Sequence, residues 1–136
     1  MQGSFQNFIF SISMKQIIHL SPSSRWEVLF SDADCWRVGM YRPEFERPED
    51  IYELEKHTCP ELFVCVRGKA GLVIRNGREE RILEFMPGDA LMVEDYHAGF
   101  IIEPEGFFLV VERASFETEY IDRTTGAIIR KVEARP

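Results

Sequence analysis

A short stretch in the middle of the chain holds its densest cluster of metal-ligating residue types. Glu55 and His57 lie two positions apart, and Glu61 follows four positions later. On an extended strand, side chains two positions apart leave the same face, so Glu55 and His57 can converge on one point. Carboxylates and imidazoles are common ligands of divalent transition metals. This spacing therefore predicts a chelating pair with a further carboxylate nearby.

The surroundings of Glu61 favour the same chemistry. After a break at residues 58 to 60, Glu61 shares one strand face with Phe63 and Cys65. The opposite face carries Leu62, Val64 and Val66. A carboxylate in apolar company carries a large desolvation cost unless a cation or a hydrogen-bond donor meets it. The alternative is that Glu55 and Glu61 point at water, because charged residues are rarely buried.

The elements around this cluster have the composition of short strands separated by turns. Strands are predicted at residues 14–20, 26–31, 36–41, 71–75, 80–85, 90–94, 99–103, 107–112, 116–122 and 127–133. Turns are predicted at 76–77, 87–89, 95–97, 104–106 and 124–126, and a loop at 42–50. No stretch of ten residues has a helical apolar period. We therefore expect an all-β chain of roughly ten strands, arranged as an antiparallel sandwich or barrel.

Composition and charge narrow the class of protein. A length of 136 residues suits a single domain over 1–136 with a real core. The net charge is −7, and no basic stripe is present to follow a phosphate backbone, so we expect no nucleic-acid partner. The apolar run 8–12 is too short to cross a membrane and follows no basic residue, so neither a membrane span nor a signal peptide is expected.

Two further features concern the compartment and the start of the chain. The three cysteines are an odd number without paired-motif spacing, which is typical of reduced thiols in a cytoplasmic protein. Residues 1–13 precede Met14, which could itself be the start of translation. If residues 1–13 belong to the protein, we expect 7–13 to form a strand that could pair with a sheet edge in another subunit.

Two separated motifs in this sequence resemble those of the cupin superfamily. The first runs Glu55-Lys56-His57-Thr58-Cys59-Pro60-Glu61, followed by six residues and Gly68. The second runs from Pro87-Gly88-Asp89 to Asp95-Tyr96-His97. The resemblance spans about residues 52 to 113. The chain departs from the family in having Glu55 where a histidine usually stands, and in a second motif that lacks Pro-x-Gly and is about two residues shorter.

The resemblance implies a jelly-roll β-barrel (a double-stranded β-helix) with metal ligands projecting into its interior. The implied ligands of a divalent transition metal (zinc, manganese, iron or nickel) are Glu55, His57, Glu61 and His97. The implied substrate-binding residues near the mouth are Tyr52, Phe63 and Tyr96. The alternatives are satisfied structural histidines and aromatic residues that serve only packing. We expect His19 to be a structural strand residue, and we leave Cys59 and Cys65 out of the metal set.

The function implied by the resemblance is a metal-dependent enzyme acting on a small polar or sugar-like molecule. Family members of this size include isomerases, epimerases, lyases and dioxygenases, and fold alone does not choose among them. The alternatives are a non-catalytic binding or sensing cupin and a structural cupin with a degenerate metal site. We also expect a homodimer, because Leu62, Val64 and Val66 form an apolar face that pairing would cover.

Overall fold

The computed structural model of the protein describes residues 17–136. The predicted strand at 7–13 and the choice between Met1 and Met14 therefore lie outside the described residues. In the described part the strands are β1 (Trp26–Asp32), β2 (Trp36–Tyr41), β3 (Glu53–His57), β4 (Glu61–Arg67), β5 (Ala70–Asn76), β6 (Glu79–Phe85), β7 (Ala90–Val93), β8 (Tyr96–Ile101), β9 (Phe107–Arg113), β10 (Phe116–Asp122) and β11 (Ile128–Ala134). A short 3₁₀ helix at Pro48–Asp50 ends the predicted loop.

The strands form two antiparallel sheets that pack face to face. One sheet has the order β1-β2-β9-β4-β7, and the other has the order β11-β10-β3-β8-β5-β6. Neighbours such as β4 and β9 are far apart in the chain, which is the crossover pattern of a jelly roll. The prediction of an all-β jelly-roll barrel is confirmed.

The core between the sheets follows from strand alternation. In β4, Glu61, Phe63 and Cys65 are buried while the intervening residues are partly exposed. In β9, Phe108 and Val110 are buried and pack against Phe63. The rings of Phe63 and Phe108 meet edge to face at 5.4 Å, a favourable aromatic geometry. This core fills one part of the interior, and the polar ends of the same strands line the rest.

A second apolar cluster closes the outer face of the six-stranded sheet. Leu54, Val73, Phe100 and Ile121 project from four adjacent strands and are covered by Ile51 and by the partly buried Phe45. The predicted loop at 42–50 therefore packs over this sheet, and residue 45 also bridges to Phe100. This packing fixes β3 and β8, which carry site residues, against the rest of the sheet.

Two sharp turns depend on glycine. Gly68 has φ +63° between β4 and β5, and a Cβ there would lie 2.7 Å from the backbone nitrogen of Gly106. Gly77 has φ +62° and is the first residue of the two-residue turn between β5 and β6. Positive φ is readily adopted only by glycine. The predicted hairpin is confirmed, but its turn residues are 77–78 rather than 76–77, because Asn76 pairs with Glu79.

Two strand predictions were wrong in part. Residues 17–20 are not a strand, so the described part of the predicted strand at 14–20 is not formed, and His19 is exposed. The strand predicted at 99–103 starts at Tyr96 instead. Residues 96 and 97 therefore belong to β8 and not to a turn, because β8 pairs along β5 from Arg75↔Tyr96 onward.

No helix in the part of the chain that the structure describes is long and apolar enough to cross a membrane.

Candidate metal centre

The four predicted ligands meet between the two sheets. Glu55 and His57 come from β3, Glu61 from the start of β4, and His97 from β8. Glu61 Oε1 lies 3.0 Å from His57 Nε2 and 3.1 Å from His97 Nε2. Glu55 Oε1 lies 3.1 Å from His57 Nε2 and 3.9 Å from His97 Nε2. Two imidazole nitrogens and two carboxylate oxygens therefore face one another across a single small space.

The other ring nitrogen of each histidine is already engaged. His57 Nδ1 is 2.6 Å from the Thr118 hydroxyl on β10, and His97 Nδ1 is 2.9 Å from the carbonyl oxygen of Asp95. Because a carbonyl can only accept, the His97 Nδ1 carries a hydrogen and its Nε2 lone pair is available when the ring is neutral. Outer hydrogen bonds of this kind orient metal-ligating histidines.

Burial separates the members of this cluster from surface ion pairs. The exposed side-chain fractions are 7% for His57, 5% for Glu61 and 4% for His97, while Glu55 reaches 26%. The interpretation that Glu61 points at water is therefore wrong. Glu55 faces the cavity, and its donor atom lies within 4.8 Å of those of His57 and His97.

The pKa values show how the protein compensates these buried charges. Burial alone would raise the pKa of Glu61, but hydrogen bonds from His57 and His97 and their positive charge lower it to about 2. Burial alone would lower the pKa of His57, but Glu55 and Glu61 raise it to about 10. The pKa of His97 is raised in the same way, mainly by Glu61. Without a metal, protons on the imidazoles therefore supply the positive charge that the carboxylates need.

A third buried carboxylate, which the sequence analysis did not single out, adjoins this cluster. Glu112 on β9 is bonded to Arg37 on β2, and both Arg37 Nε and Arg37 Nη2 lie 2.7 Å from Glu112 Oε2. Burial and the neighbouring Glu61 carboxylate raise the pKa of Glu112 to about 7, although Arg37 opposes this. Donor atoms of His57, Glu61 and Glu112 lie within 4.8 Å of one another. The sequence does carry a signal for Glu112, because it falls at the next inward-facing position of β9 after Phe108 and Val110.

The cluster lies in a cavity of about 270 Å³ that is open to solvent. Of the predicted substrate-binding residues, Tyr52 and Phe63 line this cavity, with Tyr52 exposed and Phe63 buried. Tyr96 does not line it. Because Tyr96 precedes His97 in the same strand, its side chain leaves the opposite face, where its hydroxyl donates a hydrogen bond to Glu119. That bond raises the pKa of Tyr96 to about 12.

The cavity wall also carries polar groups that the sequence did not reveal. Tyr41 and Tyr120 line it, and Arg25 lies beside Tyr41 with its guanidinium carbon 5.9 Å from the ring centroid. Tyr41 accepts a hydrogen bond of 3.2 Å from the Gly99 backbone N–H, and burial raises its pKa well above its usual range. The Tyr41 hydroxyl hydrogen is therefore retained at neutral pH and can be donated to a bound molecule.

The donor set fits a divalent transition metal. Two imidazole nitrogens whose rings are oriented by outer hydrogen bonds, together with two carboxylates, are a usual combination for such ions. The three cysteines are free thiols and belong to neither group of clustered donors. His19 likewise belongs to neither group.

No family model matches this chain, and no curated protein sequence matches it. Among solved structures, a cupin-2 domain-containing protein from Shewanella frigidimarina superposes with a TM-score of 0.51 and 16% identity, over 79% of this chain and 90% of that one. A cupin 2 domain-containing protein from Halorhodospira halophila gives a TM-score of 0.48 and 16% identity, over 86% and 72%. A cupin superfamily protein from Desulfitobacterium hafniense gives 0.46 and 17%, over 71% and 82%. The two-sheet jelly roll and the likeness to the Shewanella structure show that this chain has the cupin fold.

Proposed function

We propose that this protein is a metal-dependent enzyme that acts on a small polar or sugar-like molecule in the cavity of its barrel. The observation that supports the proposal is the convergence of Nε2 atoms from His57 and His97 with carboxylate oxygens from Glu55 and Glu61 within about one ion's reach. These four residues would hold the metal. A divalent ion at this position supplies a Lewis acid that polarises a substrate oxygen.

The remaining groups of the cavity determine what can bind beside the metal. Glu55 is the ligand with the greatest exposure, so the open side of the centre is the side on which Glu55 lies. Tyr41 and Tyr120 both line the wall, and burial raises the pKa of each. Their protonated hydroxyls suit hydroxyl or carbonyl oxygens of a polar ligand. The volume of about 270 Å³ limits the ligand to a small molecule.

Arg25 adds a positive charge at the cavity. Its Nε lies 3.8 Å from Glu44 Oε1, and among the described residues its guanidinium makes no closer polar contact. Arg37, in contrast, has two of its guanidinium nitrogens, Nε and Nη2, bonded to Glu112. An arginine with unused donors is suited to a carboxylate or another oxygen-rich group. A ligand with one oxygen at the metal and an acidic group at Arg25 would match both positive groups of the cavity.

A chelator experiment tests the proposal. Purified protein is analysed for metal, stripped with EDTA, and reloaded with zinc, manganese, iron(II) or nickel while its melting temperature is followed. We expect bound metal as isolated and a rise in melting temperature on reloading. Sugars, sugar acids and hydroxy acids are then screened for a further shift and for conversion. Absence of metal and of any shift would instead support a structural cupin, and binding without turnover would support a sensing cupin.

A further inference from the structure

Glu112 and Glu61 occupy equivalent positions on adjacent strands. β4 and β9 are antiparallel neighbours, and Leu62 pairs with Val111, which places Glu61 beside Glu112. Each of the two glutamates ends an apolar stripe on the inner face of its strand, the stripes being Phe63 and Cys65 in β4 and Phe108 and Val110 in β9. The two strands therefore deliver two carboxylates to the same end of the same core.

Glu112 is anchored by Arg37, and its carboxyl also lies within hydrogen-bonding reach of the Glu61 carboxylate. Its side chain is 3% exposed, and both Arg37 contacts are made to one oxygen, Oε2. No Arg37 contact is made to Oε1. A donor atom of Glu112 also lies within 4.8 Å of donor atoms of both His57 and Glu61. A carboxylate that is anchored through one oxygen and lies close to two of the proposed metal ligands is placed where it could bind the same ion.

We propose that Glu112 is a third carboxylate ligand of the metal centre, supplied by β9 and held there by Arg37. This inference rests on the proposed metal-binding function. When a divalent ion is bound and Glu55, Glu61 and Glu112 are all ionised beside the positive Arg37, the set is formally neutral. Arg37 thus removes the charge repulsion that a third carboxylate would otherwise add. A centre with three carboxylates and two imidazoles favours manganese or iron(II) over zinc more than a four-ligand centre does.

The simpler alternative is that Glu112 serves only as the partner of Arg37. A buried arginine without its carboxylate is strongly destabilising, so the pair could persist for stability alone. The two roles differ in what the metal experiences. If Glu112 only pairs with Arg37, its replacement should change the melting temperature and nothing else. If Glu112 is a ligand, its replacement should also change the coordination of the bound ion.

Cobalt(II) absorption spectroscopy distinguishes the two roles, because the intensity and position of its visible bands follow coordination number. Stripped wild type, Glu112→Gln and the control Glu53→Gln are titrated with cobalt(II), and affinity is measured by calorimetry. Glu53 also lines the cavity and pairs with an arginine, Arg130, but it belongs to neither donor group. For Glu112→Gln we expect more intense bands, as in a centre of lower coordination number, and an affinity about 10- to 100-fold weaker. Glu53→Gln should match wild type.

An unchanged cobalt spectrum in Glu112→Gln would overturn the inference, even if the melting temperature falls. If that variant does not fold, Glu112→Asp keeps the charge beside Arg37 but withdraws the oxygens by one methylene group. Its spectrum must then differ from wild type, and an identical spectrum would again overturn the inference. If wild type binds no cobalt and no other metal, the proposed metal-binding function itself fails, which is a separate result.

Discussion

Glu55 and His97 are directly paired across β3 and β8. Residues paired in this way on antiparallel strands project on the same side of the sheet and lie closer together than diagonal neighbours do. Glu55 therefore occupies a position from which a histidine could also reach the cluster. A glutamate at this position adds negative charge to the donor set, whereas a histidine there would add a neutral imidazole.

Replacing Glu55 tests that change in charge. A Glu55→His variant should shift metal preference toward zinc or nickel, because it removes a hard anionic ligand and adds an imidazole. Glu55→Ala should weaken binding of all four metals. Competition titrations with zinc and manganese measure the preference. If both variants keep the affinity and preference of wild type, Glu55 is a solvated or substrate-facing carboxylate and the centre depends on the other donors.

Replacing His57 should abolish metal binding while leaving the fold. In a His57→Ala variant one Nε2 donor is lost, and Glu61 loses a hydrogen-bond partner at 3.0 Å. His19 is exposed and lies outside both donor groups, so His19→Ala is the matched control. Metal content by elemental analysis, with circular dichroism as a check of folding, decides the point. Equal metal loss in the two variants would contradict the assignment.

The stability of the metal-free protein should fall as the pH rises above 6.5. The pKa of His57 is raised from its ordinary value of 6.5 to about 10 in the folded state. The stabilisation is therefore complete below pH 6.5 and is lost as the pH rises toward 10. Glu61, whose pKa is lowered from 4.5 to about 2, acts oppositely and loses its contribution as the pH falls through that range.

A metal should reverse the alkaline part of this profile. The ion binds neutral imidazoles and must displace their protons, so its affinity rises with pH. Urea unfolding of EDTA-treated and metal-loaded protein at pH 5.5, 7.5 and 9 measures both effects. We expect the difference in unfolding free energy between the two forms to grow with pH. A difference that is the same at all three values would contradict the assignment of the imidazoles as ligands.

Much of this fold follows from local patterns, and the centre follows from the two motifs. β2 and β10 were predicted with their observed bounds, because alternation and flanking turns mark them clearly. Alternation also gave the buried face of β4. Alternation did not reveal Glu112 as part of the site. The neighbours of Glu112 are set by the position of β9 between β2 and β4, and these strands are far apart in the chain. The wrong turn prediction at 95–97 has a local cause. Residues 95–97 resemble a turn when they are considered alone, and the pairing of β8 with β5 is what places residues 96 and 97 in a strand.

The homodimer stays a prediction. It can be tested at the outer face of the five-stranded sheet. Leu62, Val64 and Val66 are only partly buried there, and Met92, which pairs with Leu62, is 55% exposed. A charge placed in this face should dissociate a dimer that buries it. We expect light scattering at micromolar concentration to give a dimer for wild type and a monomer for Val64→Lys. Ile82→Lys, which changes an exposed residue of the other sheet, is the control. A monodisperse wild-type monomer would refute the prediction.

The last prediction concerns the charge preference of the ligand. Arg25 lines the cavity and its guanidinium makes no hydrogen bond to residues 17–136, whereas Arg42 makes a hydrogen bond to the Pro104 carbonyl oxygen and does not line the cavity. Gluconate and sorbitol are a matched pair of probes, because both are open-chain six-carbon polyols and gluconate has a carboxylate in place of one hydroxymethyl group. We expect metal-loaded protein to bind gluconate more tightly. Arg25→Gln should weaken gluconate about fivefold, which corresponds to about 1 kcal/mol for a charge-assisted hydrogen bond at a half-exposed site.

The control variants make this test specific. Sorbitol binding should change little in Arg25→Gln, since its hydroxyls are met by Tyr41 and Tyr120, which stay in place. Arg42→Gln should bind both probes as wild type does. Calorimetry on the metal-loaded proteins gives the affinities. If gluconate and sorbitol bind equally to wild type, or if Arg25→Gln weakens both to the same extent, Arg25 does not select an acidic group and the ligand of this cavity is a neutral polar molecule.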